Sequence, residues 1–308
     1  MSKPKVTIGV CVKDNASTIR EAIESILEQD FLNGLMEIIV VDGYSRDGTL
    51  SIIKSCLKNC EMLAKIFCAN GLGKARQIVV DNAKGEYIVW VDGDMVLPRK
   101  YVKNLVQYMD EHSDVGAAKG IPSLNFTSNL LGTLEAYSRA IGKILHFGSR
   151  KAMSSGVLGT SGAIYRTSII KKIGGFDKDI NGYCEDWDVE LKIKEAGFAL
   201  RLVNLEYLDY ERCGLTWKNL WSRYWRRGYD THYFIHKRKN KRLIKHYKMF
   251  PPAAFLAGIL HAHALFMLTR KRIVFLLPFQ YLFKMTAWYF GYIKSHTRNY
   301  QPKLRNVT

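Results

Sequence analysis

The first two hundred residues alternate short, continuously apolar runs with amphipathic segments. The apolar runs are rich in β-branched residues and too short for buried helices: KVTIGVCV (5–12), MEIIVVDG (36–43), AKIFCAN (64–70) and EYIVWVDGD (86–94). Such runs are typical of strands covered on both faces of a parallel sheet. Between the first two runs, NASTIREAIESILEQD (15–30) has the apolar spacing of an amphipathic helix. We therefore predict an α/β fold with an open, mostly parallel sheet flanked by helices.

Acidic residues stand where three of these predicted strands end. Asp14 follows the first strand, Asp42 the second, and Asp92 and Asp94 the fourth. Unpaired charge is costly next to a buried strand, so these carboxylates need either a positive partner or an open cleft. Ligands of open α/β sheets bind beyond the carboxyl ends of the strands. We expect the four acids to share one such crevice.

The sequence Asp92-Gly93-Asp94 suits a hard divalent cation. Mg²⁺ and Mn²⁺ prefer carboxylate oxygens and leave their remaining positions to water and to phosphates of a substrate. Taken alone, the same three residues are also compatible with a simple capped turn.

Further candidate residues lie in three short segments. GLGKARQ carries Lys74 and Arg76, which can meet a negatively charged nucleotide group. GTSG supplies small residues where a ligand approaches the backbone closely. GYCEDWDVELKIKEAGF (182–198) begins with a cluster of acids, which either favour the positive end of a helix dipole or provide a general base, Asp186.

Taken in order, these segments resemble the inverting glycosyltransferases of family 2. The matching segments are VVDGYSRDGT, GKARQ, VWVDGDMVLP and the series GTSGAIYR, IGGFD, GYCEDWDVEL and AGF. The resemblance covers residues 5–211 and implies the GT-A fold, a Rossmann-like open sheet flanked by helices. The ordered set is much more specific than any one of its members.

The resemblance also implies roles for individual residues. Asp42 would contact the nucleotide base, with Arg76 in its neighbourhood, Asp92 would lie near the ribose, and Asp94 would hold the metal on the diphosphate. The donor nucleotide set is Val12, Asp14, Asp42, Lys74, Arg76, Asp92 and Asp94, with Asp94 and Asp92 as metal ligands. The acceptor or diphosphate set is Gly159, Thr160, Ser161, Trp187, Arg223, Arg226 and Arg227, and the catalytic residues are Asp186 and Glu185.

The expected reaction transfers a sugar from a UDP- or GDP-sugar with Mg²⁺ or Mn²⁺ as cofactor. The cation neutralises charge on the diphosphate leaving group, and a carboxylate takes the proton of a hydroxyl acceptor. One base opposite the leaving group gives single displacement with inversion. A phosphate acceptor needs no such base, so Glu185-Asp186 favours a hydroxyl on a glycan or a lipid-linked glycan over a bare polyprenyl phosphate.

Charge divides the chain sharply. The net charge is +18, yet residues 212–308 contain 20 Lys and Arg and one acid, Asp230, whereas residues 1–211 are nearly neutral. We predict a catalytic domain over 1–211, basic aromatic interfacial helices over 212–249, and an apolar helical hairpin with a basic tail over 250–308. Arg223, Arg226 and Arg227 then either reach the donor diphosphate or acceptor, or belong to an interfacial helix.

Two apolar runs near the C-terminus predict membrane association. FPPAAFLAGILHAHALFMLT (250–269) and IVFLLPFQYLFKMTAWYFGYI (273–293) each approach the length needed to cross a bilayer. Prolines, histidines and Lys284 make both imperfect spans, so the hairpin either crosses the membrane, dips into one leaflet, or is replaced by interfacial amphipathic helices. The basic run 237–248 would face anionic lipids, which puts the catalytic domain on the cytoplasmic side of the cell membrane.

Other functions fit fewer features. A sugar-nucleotide transferase with a related sheet would not need the Glu185-Asp186 pair or the apolar tail. An RNA-binding protein would use the basic aromatic segment 216–248 but would leave the strand-end acids without a purpose. We therefore expect no nucleic-acid partner. The six cysteines lack a CxxC or zinc spacing and no signal peptide opens the chain, which together predict reduced thiols in the cytosol.

Overall fold

The computed structural model describes residues 3–58, 60–123, 129–144, 157–180, 182–209, 215–238 and 250–298. The chain forms two compact units. The first comprises Met1–Ser123, His146–Asn181 and Glu185–Tyr210, and the second comprises Leu124–Leu145, Gly182–Cys184 and Glu211–Thr308. The boundary predicted at 211 lies outside the described residues, and the three-part division stays a prediction.

The first unit is built on an eight-stranded mixed sheet. Its strands are β1 (Val6–Val12), β2 (Met36–Asp42), β3 (Leu63–Cys68), β4 (Tyr87–Val91), β5 (Met95–Val96), β6 (Val115–Pro122), β7 (Ala163–Arg166) and β8 (Ala199–Asp209), in the spatial order β3-β2-β1-β4-β7-β6-β8-β5. Four of the neighbouring pairs are parallel, and β7 lies antiparallel between β4 and β6. The mostly parallel sheet expected from the apolar runs is confirmed.

The helices of the first unit connect these strands. They are α1 (Ile19–Leu27), α2 (Thr49–Leu57), α3 (Leu72–Asn82), α4 (Tyr101–Glu111), α6 (Thr167–Lys172) and α7 (Glu185–Glu195). The helix α5 (Leu130–Ile144) belongs to the second unit. A short 3₁₀ turn at Asn33–Leu35 precedes β2.

The two faces of the sheet carry separate hydrophobic cores. Along β2, Ile38 and Val40 pack into one core, and the alternate residues Ile39 and Val41 pack into the other. Since both faces are covered, β1, β2 and β4 are apolar at most positions, which is why they appear as continuous runs in the sequence. Gly9 permits this packing on β1, because a Cβ there would lie 2.8 Å from Val79 Cγ1.

The second unit is helical. Its elements are α5 together with α8 (Trp217–Arg238), α9 (Pro251–Thr269), a 3₁₀ segment (Arg272–Leu276) and α10 (Leu277–Thr297). Helices α8 and α10 cross at two glycines: a Cβ on Gly228 would clash with the carbonyl of Trp288, and one on Gly291 would clash with the carbonyl of Trp225. Small residues at a crossing let helix backbones approach closely.

Two helical segments of the second unit are long and apolar enough to cross a bilayer, by length and composition alone. They are Pro251–Thr269 and Arg272–Thr297. Large apolar side chains on both are exposed, with Leu260 at 72% and Phe279 at 62%. Exposed apolar surface of this extent is typical of a surface that meets lipid or another protein.

A buried polar cluster lies inside this apolar unit. The Glu135 carboxylate of α5 accepts hydrogen bonds from Lys284 Nζ at 2.8 Å, Gln280 Nε2 at 3.2 Å and the Tyr224 hydroxyl at 3.0 Å. Lys284 Nζ also donates to Ser138 Oγ at 2.5 Å. Glu135, Gln280 and Lys284 are all buried. The ion pair between Glu135 and Lys284 is therefore compensated by hydrogen bonds within the protein.

Removal of one charge from this pair should destabilise the second unit. Lys284→Met leaves the Glu135 carboxylate buried without its salt-bridge partner, which costs about 3–5 kcal/mol, whereas the double variant Glu135→Leu/Lys284→Met recovers most of that loss. Thermal unfolding of the detergent-solubilised protein measures both. Equal melting temperatures for the single and the double variant would contradict this interpretation.

Candidate active site

The strand-end acids lie at one edge of the sheet. Strands β2, β1 and β4 are parallel neighbours, with Val12 opposite Asp42 and Val10 opposite Val91. The segments that follow these three strands therefore leave the sheet side by side. Asp14, Asp92 and Asp94 stand in these segments, one to three residues beyond the strand ends.

The loops after β1 and β2 are bonded to each other through side chains. The Asp42 carboxylate, 1% exposed, accepts from Ser45 N at 2.9 Å and from Ser45 Oγ at 2.6 Å. Asp14 has a left-handed backbone (φ 52) and its carboxylate accepts from Arg46 N at 2.9 Å. In this arrangement, both acids order the loops that follow β1 and β2.

Asp47 ties the same loops together and was not among the predicted site residues. Its carboxylate accepts from Ala16 N at 2.9 Å and from Thr49 N at 3.1 Å. Burial alone would raise the pKa of Asp47, but these hydrogen bonds and one from the Thr49 hydroxyl lower it. The sequence signal was the Asp-Gly-Thr turn at 47–49.

The Asp92-Gly93-Asp94 turn, which follows β4, packs against the end of β1 and the loop that follows it. The Thr18 hydroxyl donates to Gly93 O at 2.7 Å, and a Cβ on Gly93 would lie 2.9 Å from Val12 Cγ1. Asp92 accepts a short hydrogen bond from the Ser161 hydroxyl. Asp92 and Asp94 are both half-buried, so their carboxylates are neither sealed in the core nor fully exposed.

Arg76 forms a buried ion pair with Glu185. Its guanidinium Nη1 meets Glu185 Oε1, and the two side chains are 6% and 4% exposed. Burial alone would lower the pKa of Arg76, but the carboxylates of Glu185, Asp92 and Asp186 together raise it. The pair therefore links the second turn of α3 to the start of α7, while Lys74, two residues earlier on α3, is exposed.

Asp186 lies against the glycine loop that precedes β7. Gly159 has φ 75, and a Cβ there would lie 3.3 Å from Asp186 Oδ2. The other carboxylate oxygen of Asp186 accepts from the backbone N–H of Trp187 at 2.8 Å. Asp186 and Trp187 are half-buried, and Thr160 is buried.

The loop Gly159-Thr160-Ser161 joins two of the predicted acids. Gly159 faces Asp186 at one end, and the Ser161 hydroxyl meets Asp92 at the other. Two carboxylates from distant parts of the sequence thus lie beside three consecutive small residues. Both remain half-buried.

Three residues beside this loop were missed by the sequence analysis. Lys119 on β6, Tyr165 on β7 and Glu190 on α7 are buried and bond to the loop or to one another. The lysine inside the apolar strand VGAAKGIP was a usable signal, because a buried lysine needs a specific partner.

The three predicted arginines lie on α8, in the second unit. The Arg227 guanidinium lies over the rings of Tyr183 and Tyr224, at 5.1 and 4.9 Å from their centroids. Arg223 is half-buried and its charge acts on Glu135, and Arg226 is exposed. Their predicted contact with donor or acceptor stays a prediction.

The chemistry of the donor set fits a divalent cation that shares its ligands with a substrate. Among the described residues, no group of three or more His, Cys, Asp or Glu side chains is arranged to hold a metal. Asp92 and Asp94 supply carboxylate oxygens, and Mg²⁺ or Mn²⁺ held by one or two carboxylates takes its other ligands from phosphates and water. The residues present match that incomplete protein site.

Known proteins resemble this chain in sequence and in fold. The poly(ribitol-phosphate) β-N-acetylglucosaminyltransferase TarS of Staphylococcus aureus is 31% identical over 114 residues, which are 36% of this chain and 20% of TarS. An uncharacterized glycosyltransferase of Rickettsia typhi is 29% identical over 212 residues, 68% of this chain and 62% of that protein. The chain thus covers between a fifth and three fifths of the length of these relatives.

A solved structure shares the fold. The mannosyltransferase PcManGT from Pyrobaculum calidifontis, in complex with GDP-Man and Mn²⁺, superimposes with a TM-score of 0.66 at 18% identity, covering 96% of this chain and 88% of that one. The expected GT-A fold is therefore confirmed. Residues 7–174, more than half of the chain, match the family described as Glycosyl transferase family 2, and the chain belongs to that family.

Proposed function

We propose that the chain transfers a sugar from a nucleoside diphosphate sugar to a hydroxyl acceptor with inversion. The observation that carries this proposal is the loop Gly159-Thr160-Ser161, whose ends meet Asp186 and Asp92. A general base and a carboxylate for the diphosphate side are thereby held in one small region of the first unit. Family membership supports the reaction class.

Asp92 and Asp94 would hold Mg²⁺ or Mn²⁺. When bound, the cation supplies positive charge to the diphosphate leaving group. The two half-buried carboxylates support this assignment, as does the Mn²⁺ in the P. calidifontis mannosyltransferase complex.

Asp186 would be the base, and Glu185 would position it. A base must reach the hydroxyl it deprotonates, and Asp186 is half-buried whereas the Glu185 side chain is buried against Arg76. The ion pair fixes the first turn of α7, so that the next residue presents its carboxylate in a defined direction. Of the two predicted catalytic residues, we therefore assign Asp186 as the base, and we assign the ion pair of Glu185 with Arg76 as the interaction that positions it.

The donor would lie along the edge formed by the ends of β1, β2 and β4. Asp42 would meet the base, with Val12 and Asp14 at the rim and Lys74 near the phosphates. The donor would be a UDP- or GDP-sugar: a TarS structure is in complex with UDP-GlcNAc, and the P. calidifontis enzyme holds GDP-Man.

The acceptor would be a glycan or a lipid-linked glycan at the cytoplasmic face of a membrane. The exposed apolar side chains of α9 and α10 support contact with lipid hydrocarbon. The basic run 237–248, of which 239–248 lie outside the described residues, would contact anionic head groups at about 1 kcal/mol per cation. Cytoplasmic loops are enriched in Lys and Arg, which favours that side.

A phosphate acceptor, as in a polyprenyl-phosphate sugar synthase, is the second candidate. The cationic surface of α8 favours it, since Arg226 is exposed there and α8 carries further Lys and Arg residues. A phosphate is already anionic and needs no base, so the two candidates differ in their dependence on Asp186.

Removal of the metal carboxylate should abolish cation-dependent turnover. Asp94→Ala should lower the release of nucleoside diphosphate from UDP-GlcNAc or GDP-Man with Mn²⁺ by about 100-fold or more, because charge on the leaving group is no longer offset. Mn²⁺ titration by calorimetry should show weaker binding. Asp30→Ala, at an exposed carboxylate paired with Lys103, is the matched control and should behave as wild type. Full activity of Asp94→Ala with intact Mn²⁺ binding would refute the assignment.

The two adjacent acids should respond differently to neutralisation. Asp186→Asn should lower kcat by about 10²–10⁴-fold with donor binding and melting temperature unchanged, because only proton transfer is lost. Glu185→Gln should instead destabilise the fold by about 3–5 kcal/mol, because it leaves Arg76 buried beside a neutral group. Transfer assays with membranes of the source organism, donor calorimetry and thermal unfolding separate the two effects. Full turnover of Asp186→Asn would favour the phosphate acceptor.

Membrane attachment should survive high salt. Protein in a membrane pellet should remain there in 1 M NaCl, which screens charges to a Debye length of about 3 Å, and should be released by detergent. Release by salt alone would show that the basic segments, rather than the apolar faces of α9 and α10, hold the protein on the membrane.

A further inference from the structure

A buried carboxylate beneath the glycine loop binds its backbone directly. Glu190 lies on α7, four residues after Asp186, and is completely buried. Its Oε2 accepts from Leu158 N at 2.6 Å, and its Oε1 accepts from Gly159 N at 2.8 Å and from the Tyr165 hydroxyl at 2.6 Å. Three donors therefore converge on one side chain.

A buried cation binds the other polar groups of the same two residues. Lys119 Nζ donates to Leu158 O at 2.9 Å and to Gly159 O at 3.1 Å. The N–H and C=O groups of two consecutive residues are thus all engaged by Glu190 and Lys119. A backbone segment bound by two buried charges of opposite sign has little freedom to move.

This fixed segment is the part of the loop that faces the proposed base. A Cβ on Gly159 would lie 3.3 Å from Asp186 Oδ2 and 3.6 Å from Lys119 Nζ. Two residues further along, Ser161 meets Asp92. A shift of Leu158 and Gly159 would therefore alter the surroundings of both carboxylates.

We propose that Glu190 is a positioning residue for the reaction: by binding the backbone of Leu158 and Gly159, it holds the glycine loop against Asp186 and Asp92. The proposal rests on the proposed function for its catalytic consequence. Glu190 acts through the loop and through no contact with the reacting groups. Lys119 and Tyr165 complete the arrangement.

The charges around Glu190 make this device sensitive to pH. Burial and the negative charge of Asp186 raise the pKa of Glu190 to about 7, while the Tyr165 hydroxyl, the Leu158 N–H and the Lys119 cation act in the opposite direction. Lys194 on α7 interacts with Glu190, and Arg76 on α3 interacts with Tyr165. When Glu190 is protonated, one of its oxygens becomes a donor and must face another donor, so the grip on the loop weakens.

Turnover should therefore fall on the acidic side of about pH 7. We expect kcat for nucleoside diphosphate release from UDP-GlcNAc or GDP-Man to show this acidic limb in the wild type. Glu190→Gln places an amide N–H₂ against the loop, and should lower kcat about 10- to 100-fold and remove the limb. Tyr165→Phe should move the limb to higher pH, because a donor to the ionised form is lost. Glu195→Gln, at the exposed end of the same helix, is the matched control and should match the wild type.

Stability should report the same titration without any substrate. The folded state raises the pKa of Glu190. Its titration therefore adds to the free energy of unfolding fully below about pH 4.5, and this addition is lost as pH rises through about 7. As pH rises from about 4.5 to about 7, the melting temperature of the wild type should therefore show a decrease that is absent in Glu190→Gln.

Amide hydrogen exchange decides the proposal independently of activity. Exchange at the amides of Leu158 and Gly159 should be faster in Glu190→Gln than in Glu195→Gln, with less change in Tyr165→Phe, which keeps both backbone contacts. Unchanged exchange and an unchanged pH profile in Glu190→Gln would overturn the proposal. A wild type that binds and turns over no nucleotide sugar would refute the proposed function, while the exchange experiment would still decide whether Glu190 holds the loop.

Discussion

The candidate site depends on the compensation of one buried charge. Arg76 cannot be deprotonated, and its guanidinium is almost fully removed from water, so a carboxylate must accompany it. Glu185 meets this requirement and thereby joins the second turn of α3 to the first turn of α7. The next residue, Asp186, is not part of this buried ion pair and is half-buried. One ion pair thus distinguishes a buried acid from a half-buried one in two adjacent positions.

The glycine loop extends the same principle to the backbone. Gly159 has a positive φ, a Cβ on it would lie only 3.3 Å from Asp186 Oδ2, and Ser161 reaches Asp92. Below it, Glu190 and Lys119 engage the peptide groups of the loop from two different elements. The acids that the substrate would meet are therefore ordered from beneath by charges that no substrate can reach. Such pre-organisation avoids reorganisation of the site during the reaction.

The sequence alone predicted the features that depend on local pattern. The strands β1, β2 and β4 were visible because both faces of the sheet are covered, and their terminal acids followed from chain position alone. The sequence did not reveal which of Glu185 and Asp186 is buried, because that depends on Arg76, more than a hundred residues away. It equally missed the partners of Lys119 and Glu190, which meet only after β6, β7 and α7 have assembled. Charge composition placed a predicted boundary at 211, but composition is insensitive to where the apolar face of α5 packs.

Helix α5 also limits how this protein can be shortened. It lies between β6 and β7 in the chain, yet it is a member of the second unit and carries the carboxylate that Lys284 neutralises from 149 positions downstream. A fragment ending before α10 would retain Glu135 in the middle of its sequence and lose both the cation and the amide that solvate it. Excision of the catalytic half as a soluble piece would thus require re-engineering an interior helix, in addition to trimming the end of the chain.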